Sequence, residues 1–187
     1  NFFAVLIGFA VMVVFLVAAE TVFYALNLRD TGPYVKRSTT PAGFSSFVPF
    51  IGKRPEPDRR YTETVRWGSE ICYRETYTVD AMRRRVVPVE HVRPPDRFIL
   101  FFGGSFTFGN GVKDDETLPY YVATLAPGYQ VYNYGFGGYG PHQMLSMLEH
   151  FPLETEVSEE RGIFVYVFIP NHIPRAIGSM RIATSWG

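Results

Sequence analysis

This chain of 187 residues has one cysteine and no net charge, and few of its residues are spaced as metal ligands are. The single cysteine, Cys72, excludes an internal disulfide and a cysteine metal cluster. No ligand pattern for a metal or a cofactor is evident, so we expect neither. Acidic and basic side chains balance at 18 each, which argues against nucleic acid as a main partner.

Charge is missing altogether from Phe2 to Ala19. At about 1.5 Å per residue such a helix spans roughly 27 Å, close to the hydrocarbon thickness of a bilayer. The apolar pattern continues to Leu28, so we predict a single-pass transmembrane anchor over residues 1–28, in contact with lipid through residues 2–28. A secretory signal peptide and a buried soluble helix are the alternatives; the length of the run disfavours the first and its hydrophobicity the second.

Three regions are predicted after the anchor. Residues 29–60 are rich in proline, which predicts an extended connector on a surface. Residues 61–96 are predicted as a small β-hairpin lead-in, because Tyr61–Val79 alternates weakly between apolar and polar residues. Residues 97–187 predict a partial α/β domain. Within the lead-in, the run Arg83-Arg84-Arg85 is interpreted as a solvated face, with binding of anionic lipid or phosphate as the alternative.

Apolar runs in the last region predict three strands, at Phe98–Phe102, Gln130–Tyr134 and Ile163–Ile169. Helices are predicted from Asp114 to about Ala126 and from Pro141 to Phe151. The second predicted helix has three apolar residues on one face: Met144, Leu145 and Leu148. Strands that alternate with helices predict a parallel sheet with helices on both sides, which would bind its ligands beyond the carboxyl ends of the strands.

Residues that can do chemistry follow each predicted strand. Gly103 and Gly104 end the first strand, and Ser105 is the first reactive side chain beyond it. A glycine cluster, Gly135-Phe-Gly-Gly-Tyr-Gly140, follows the second strand, and Asn171 follows the third. The cluster also matches a dinucleotide-binding fingerprint, but no acidic residue ends the next strand to hold a ribose.

Three short blocks together resemble the SGNH (GDSL-type) hydrolase superfamily. They are Gly103-Gly104-Ser105, Asn133-Tyr-Gly-Phe-Gly-Gly138 and Pro170-Asn171-His172. The resemblance implies a flavodoxin-like three-layer domain in which Ser105 is the nucleophile. Its implied oxyanion hole combines the Ser105 N–H, the Gly138 N–H and the Asn171 amide.

This sequence departs from the family pattern in three ways. Gly104 stands where the family often has aspartate, and His172 also stands where relatives often have aspartate. The Asp-x-x-His block that supplies the catalytic base is absent, so we expect it beyond residue 187; the chain, which starts at Asn1 rather than Met, is expected to continue at both ends. His172 and His142 are the candidate bases within the sequence.

Two functions from different classes remain open. The first is a membrane-anchored serine esterase or acyltransferase that acts on an acyl ester. The second is a non-catalytic accessory or scaffold subunit of a larger membrane protein complex, built on a degenerate or truncated domain. The basic residues after the anchor favour a cytoplasmic domain, whereas the family resemblance favours a periplasmic one; we predict the latter.

Overall fold

The computed structural model describes residues 2–29 and 35–177 of the chain. Part of the predicted connector, residues 30–34, and the end of the predicted α/β domain, residues 178–187, lie outside the described residues. The contacts divide the chain into two compact units. One contains the N-terminal helix and the other contains most of the chain from Arg37 onward, and each is described by itself.

Helix α1 (Phe2–Arg29) is a single helix of 28 residues. Its segment Leu6–Ala25 has a mean hydropathy of 2.5 and none of it is buried. At about 1.5 Å per residue the helix is about 42 Å long, more than the hydrocarbon core of a bilayer requires. The chain therefore has an N-terminal helix that is long and apolar enough to cross a membrane.

The antiparallel part of the chain contains five strands: β1 (Val35–Thr40), β2 (Ser45–Val48), β3 (Gly52–Pro55), β4 (Arg59–Trp67) and β5 (Glu70–Val79). Strands β2 and β3 form a hairpin, while β1, β4 and β5 form a sheet in that order. The predicted hairpin corresponds to β4 and β5. The prediction of an extended surface connector over residues 29–60 differs from the structure. This segment contains β1, β2 and β3, and its Ile51 is only 3% exposed.

The parallel sheet consists of β6 (Arg97–Gly103) between β7 (Tyr129–Asn133) and β8 (Arg161–Val167). Both neighbours run parallel to β6. Helices and turns connect or follow these strands: α2 (Ser105–Phe108), a 3-10 turn (Asp114–Glu116), α3 (Leu118–Leu125), α4 (Pro141–His150), α5 (Leu153–Glu156) and, after β8, α6 (His172–Ala176). The mixed α/β class and the parallel sheet are confirmed, whereas the flavodoxin-like form stays a prediction.

Each face of β6 is buried in its own apolar cluster, because successive side chains of a strand point to opposite sides. Leu100 and Phe102 pack with residues of α2, α4 and the β7 end, such as Met147. Ile99 and Phe101 pack with Ala123 of α3 and with Val131 of β7. The uninterrupted apolar run of β6 thus reflects burial on both faces, as the sequence predicts.

The orientation of α4 differs from the prediction. Leu145 and Leu148 are 56% and 44% exposed, whereas Gln143 and Met147 are 6% and 2% exposed. Gln143 can be buried because its side chain accepts a hydrogen bond from the Gly140 N–H at 2.6 Å. A polar residue whose hydrogen bond is satisfied locally therefore takes the inner position, four residues before Met147.

Strand β8 begins and ends two residues earlier than predicted, since Arg161 and Gly162 pair with Arg97 and Phe98 of β6. Its apolar side chains are also less buried than those of β6. Ile163 and Phe164 are 47% and 49% exposed. The reason is position: β8 pairs with a strand on one side only within the described sheet.

Candidate functional site

Ser105 is mounted on a glycine turn at the carboxyl end of β6. Gly103 has a φ of 153°, and a Cβ atom at this position would collide with the hydroxyl of Thr107 in α2. Gly104 is extended, with φ −87° and ψ −150°, and Ser105 begins α2 directly after it. The first glycine is therefore needed for its backbone conformation, and Ser105 follows the strand without an intervening side chain.

Gly104 is where the three strand ends meet. A methyl group on Gly104 would lie 3.1 Å from Nε2 of His172 and 3.1 Å from Nη1 of Arg175, both in α6 after β8. It would lie 3.3 Å from the carbonyl oxygen of Tyr139, in the loop after β7. Arg175 joins two of these segments, because its Nη1 donates to that carbonyl at 2.9 Å. The carboxyl edge of the sheet therefore brings all three sequence blocks together.

The predicted site residues lie in or beside this meeting point. Ser105 is half-buried, and within residues 35–177 no hydrogen bond reaches its hydroxyl. Gly138 is half-buried, has a φ of 86° and directly precedes Tyr139. Asn171 is exposed and directly precedes α6, without a side-chain bond to that helix. Gly104, Tyr139 and His172, which are adjacent in sequence to Ser105, Gly138 and Asn171, thus lie close together. The roles of Ser105, Gly138 and Asn171 in an oxyanion hole stay predictions.

His172 is the more enclosed of the two candidate bases. It is 0% exposed, and its Nδ1 lies 2.7 Å from the Tyr166 hydroxyl. The backbone N–H of Ile169 also donates to Nδ1, at 3.3 Å. Burial lowers the pKa of His172, and the positive charge of Arg175 lowers this pKa further. The ring is therefore neutral near pH 7.

His142, the other candidate base, is exposed near the start of α4. Partial burial and the charge of Arg175 lower its pKa, so it too is neutral near pH 7. Its ring lies close to Gly140, because a methyl group on that glycine would be 3.1 Å from Cε1. A neutral and accessible imidazole can accept a proton, which keeps His142 a candidate base.

Arg85 holds the chain that follows Ser105, and sequence reasoning missed this. The side chain is 0% exposed and its Nε lies 3.0 Å from Asp114. The guanidinium also donates to the carbonyl oxygens of Phe108, Gly109 and Val112. Arg85 therefore ties the end of α2 and the loop beyond it to one buried cation.

The other two arginines of the run are also structural. Arg84 donates to Asp80, to the Tyr134 hydroxyl and to the Glu156 carbonyl. Arg83 donates to the Ser46 hydroxyl and the Pro55 carbonyl. The interpretation of residues 83–85 as a solvated face is wrong, because each of the three guanidinium groups donates to groups within the fold. The accepting carbonyls belong to distant parts of the chain, such as Pro55, Phe108 and Glu156, so the local sequence carries no signal for these contacts.

Asn133, which belongs to the second block, is a connector between β7 and α2. It is 1% exposed, and its amide donates to the Thr107 carbonyl at 2.9 Å. Its side-chain oxygen accepts from the Gly135 N–H at 3.0 Å. A methyl group on Gly135 would lie 2.6 Å from Cβ of Thr107. The glycine cluster thus allows close packing against α2, a role that needs no dinucleotide.

Two other concave surfaces are not lined by Ser105. A polar groove of about 730 Å³ is lined by residues that include Arg60, Arg74 and Lys113. An apolar groove of about 420 Å³ lies between α5 and the sheet, with Phe98 and Phe164 in its wall. Within residues 2–29 and 35–177, no group of three or more His, Cys, Asp or Glu side chains could hold a metal ion.

The comparisons with known proteins leave the resemblance to the SGNH superfamily untested. No protein-family model matches the chain, and no curated protein matches it.

Proposed function

We propose that this chain is a membrane-anchored serine esterase or acyltransferase of the SGNH type that acts on an acyl ester. The observation that carries the proposal is the convergence on Gly104. There, the loop that follows Gly138 and the helix that follows Asn171 come within 3.1–3.3 Å of the point that a methyl group on Gly104 would occupy, directly before Ser105. Parallel sheets bind ligands at this edge.

In the proposed reaction, the Ser105 oxygen attacks the ester carbonyl carbon. A bond forms between Oγ and the acyl carbon, the carbonyl electron pair moves to oxygen, and the serine proton passes to a base. When the tetrahedral state collapses, the ester C–O bond breaks and the alcohol leaves with that proton. Water or a second alcohol then takes the acyl group, which gives hydrolysis or transfer.

The charge that develops on the acyl oxygen needs fixed hydrogen-bond donors. The Gly138 N–H and the Asn171 amide are proposed for this role, together with the Ser105 N–H. One such donor lowers the barrier by about 3 kcal/mol. The base is proposed to be His142.

The experiment is covalent labelling of the full chain in detergent with a fluorophosphonate probe, followed by peptide mapping. We expect labelling at Ser105 and its loss in Ser105→Ala. The matched control is Ser158→Ala, which removes an exposed hydroxyl elsewhere and should label normally. Absence of label at Ser105 in the natural protein would refute the esterase proposal.

The second candidate, an accessory subunit of a membrane protein complex, is favoured by the exposure of β8. Ile163, Phe164 and the following Phe168 are 47%, 49% and 57% exposed, although the sequence of the strand is typical of a buried one. Apolar surface of this kind is typical of protein contacts. Under this function, Phe164→Lys should abolish assembly in native gels of solubilised membranes, while Ser105→Ala should assemble normally. Normal assembly of the Phe164→Lys variant would contradict this second function.

A further inference from the structure

The imidazole of His172 is fully buried, yet within residues 35–177 only one of its two nitrogens is hydrogen-bonded. Nδ1 contacts the Tyr166 hydroxyl and the Ile169 N–H. Nε2 is buried and has no hydrogen-bond partner among the residues that the structure describes. Burial removes the hydrogen bonds of such an atom to water, and here no protein group replaces them. Such an atom in a native fold calls for an explanation outside stability.

The hydrogen bonds at Nδ1 determine which nitrogen carries the proton. A backbone N–H is only a donor, so the Ile169 N–H at 3.3 Å requires an unprotonated Nδ1 that accepts. Because an unprotonated Nδ1 can only accept, the Tyr166 hydroxyl is the donor in its 2.7 Å contact with that nitrogen. Since the ring is neutral, its single proton is on Nε2. The group without a partner is therefore an N–H donor.

That donor faces the turn that carries the proposed nucleophile. Nε2 would be 3.1 Å from a methyl group on Gly104, the residue before Ser105. A general base must offer an unprotonated nitrogen to the serine proton, and Nε2 does not. The Arg175 guanidinium, which would be equally close to the same methyl group, adds positive charge at this point. The surroundings of Nε2 therefore suit an oxygen that becomes negative.

We infer that His172 is a hydrogen-bond donor in the Ser105 reaction, whose Nε2–H binds the acyl oxygen when the serine attacks. This inference rests on the proposed ester function and replaces the role of His172 as a candidate base. The proton stays on Nε2 throughout the step: the electron pair of the carbonyl moves to oxygen, and the hydrogen bond from Nε2 strengthens. Tyr166 is a positioning residue, because it acts only through Nδ1.

The first measurement is independent of activity. NMR of the full chain in detergent, with ¹⁵N-labelled histidine, is expected to show the His172 proton on Nε2 at pH 7. Tyr166→Phe is expected to add a population with the proton on Nδ1, since one of the two donors to Nδ1 is lost. A proton on Nδ1 in the natural protein overturns the inference.

The second measurement compares two substitutions by the rate of fluorophosphonate labelling at Ser105. The amide of His172→Gln reaches the position of Nε2 and can donate there, whereas that of His172→Asn reaches only the position of Nδ1. We expect the Gln variant to be slower than the natural protein but at least tenfold faster than the Asn variant. His150→Asn, an exposed histidine away from the turn, is the matched control and should label normally.

The outcomes separate the inference from the proposed function. Equal losses in the Gln and Asn variants overturn the donor role, because a base or a purely structural histidine would be lost in both. Equal retention in the two variants overturns it as well. If the natural protein is not labelled at all, the ester function fails and the donor role fails with it, while NMR still reports the tautomer.

Discussion

At the scale of single residues, Arg85 is the residue near the site whose role is hardest to predict from the sequence. A buried guanidinium is tolerated when its nitrogens are paired, and all three nitrogens of Arg85 donate, to one carboxylate and three carbonyls. Its partners lie on the chain just after Ser105. The position of the nucleophile therefore depends on a residue 20 positions earlier in the sequence.

Arg85→Met is expected to destabilise the fold by about 3–5 kcal/mol, because it leaves Asp114 without its buried ion pair. The measurement is urea or thermal unfolding of the full chain in detergent. Arg74→Met is the matched control, since Arg74 is exposed and makes no ion pair within the described residues. An equal effect of the two substitutions would contradict the structural role of Arg85.

Gly104→Ala is expected to slow labelling at Ser105 and to cost about 1–3 kcal/mol of stability, as overpacking does. The added methyl group would press on His172 and Arg175 at 3.1 Å. Gly137→Ala is the matched control, because a methyl group there meets nothing within 4 Å. If both variants behave like the natural protein, the close contact at Gly104 is not functional.

Acid is expected to destabilise the protein through His172. Burial holds the pKa of this group below its ordinary value of 6.5, so the unfolded chain binds the proton more readily. The stabilising contribution is complete above about pH 6.5 and is lost as the pH falls toward the lower folded-state pKa. The melting temperature of the full chain should therefore fall from pH 7.5 to pH 5.

His172→Gln removes this titration, so the decrease should be shallower in that variant. The pKa of His142 shifts in the same direction, and this group contributes a decrease that remains. Parallel pH curves for the natural protein and His172→Gln would show that His172 protonates equally well in the folded and unfolded chain.

At the scale of elements, α4 provides a direct check of the fold. Met147→Ala should cost about 2–5 kcal/mol, because its side chain is 2% exposed within the apolar cluster of β6. Leu145→Ala should change stability by less than about 0.5 kcal/mol, since that side chain is 56% exposed. Chemical unfolding measures both. The opposite order would restore the helix face that the sequence predicts.

The sequence predicts well those helices and strands whose burial determines the order of their apolar and polar residues. The run from Phe98 to Phe102 is apolar at every position because both faces are covered, and β6 follows it to within one residue. β1 has the polar sequence Val-Lys-Arg-Ser-Thr-Thr and forms only through pairing in its sheet, which local composition cannot indicate. The same limit applies to Gln143, whose burial depends on a hydrogen bond to Gly140.

The location of the site at one edge of the sheet could be predicted from the topology. Ser105, the glycine loop and α6 meet because parallel strands end at one edge, which follows from the order of strands and helices alone. The tautomer of His172 and the arginine contacts were not predictable, since each depends on atoms brought together from distant parts of the chain.

At the scale of the whole molecule, α1 is expected to hold the chain in the membrane. The double substitution Val13→Arg with Leu16→Arg should abolish membrane retention in alkaline carbonate washes. Each charge near the helix centre makes the free energy of membrane insertion less favourable by about 2.5–3.5 kcal/mol. The control exchanges the same positions for each other's residue, Val13→Leu with Leu16→Val, and should stay in the membrane pellet. Retention of the arginine variant would show that insertion of α1 is not what holds the protein.

The main chain of Arg85 forms antiparallel bridges to Val79, at the end of β5, and to Asn133, at the end of β7. One residue thus connects the antiparallel sheet to the parallel one, across the predicted domain border between residues 96 and 97. A protease that cleaves the loop after Arg85 should consequently yield two fragments. These fragments should co-elute in gel filtration and separate only in denaturant. Neither half is then a sensible unit to express by itself.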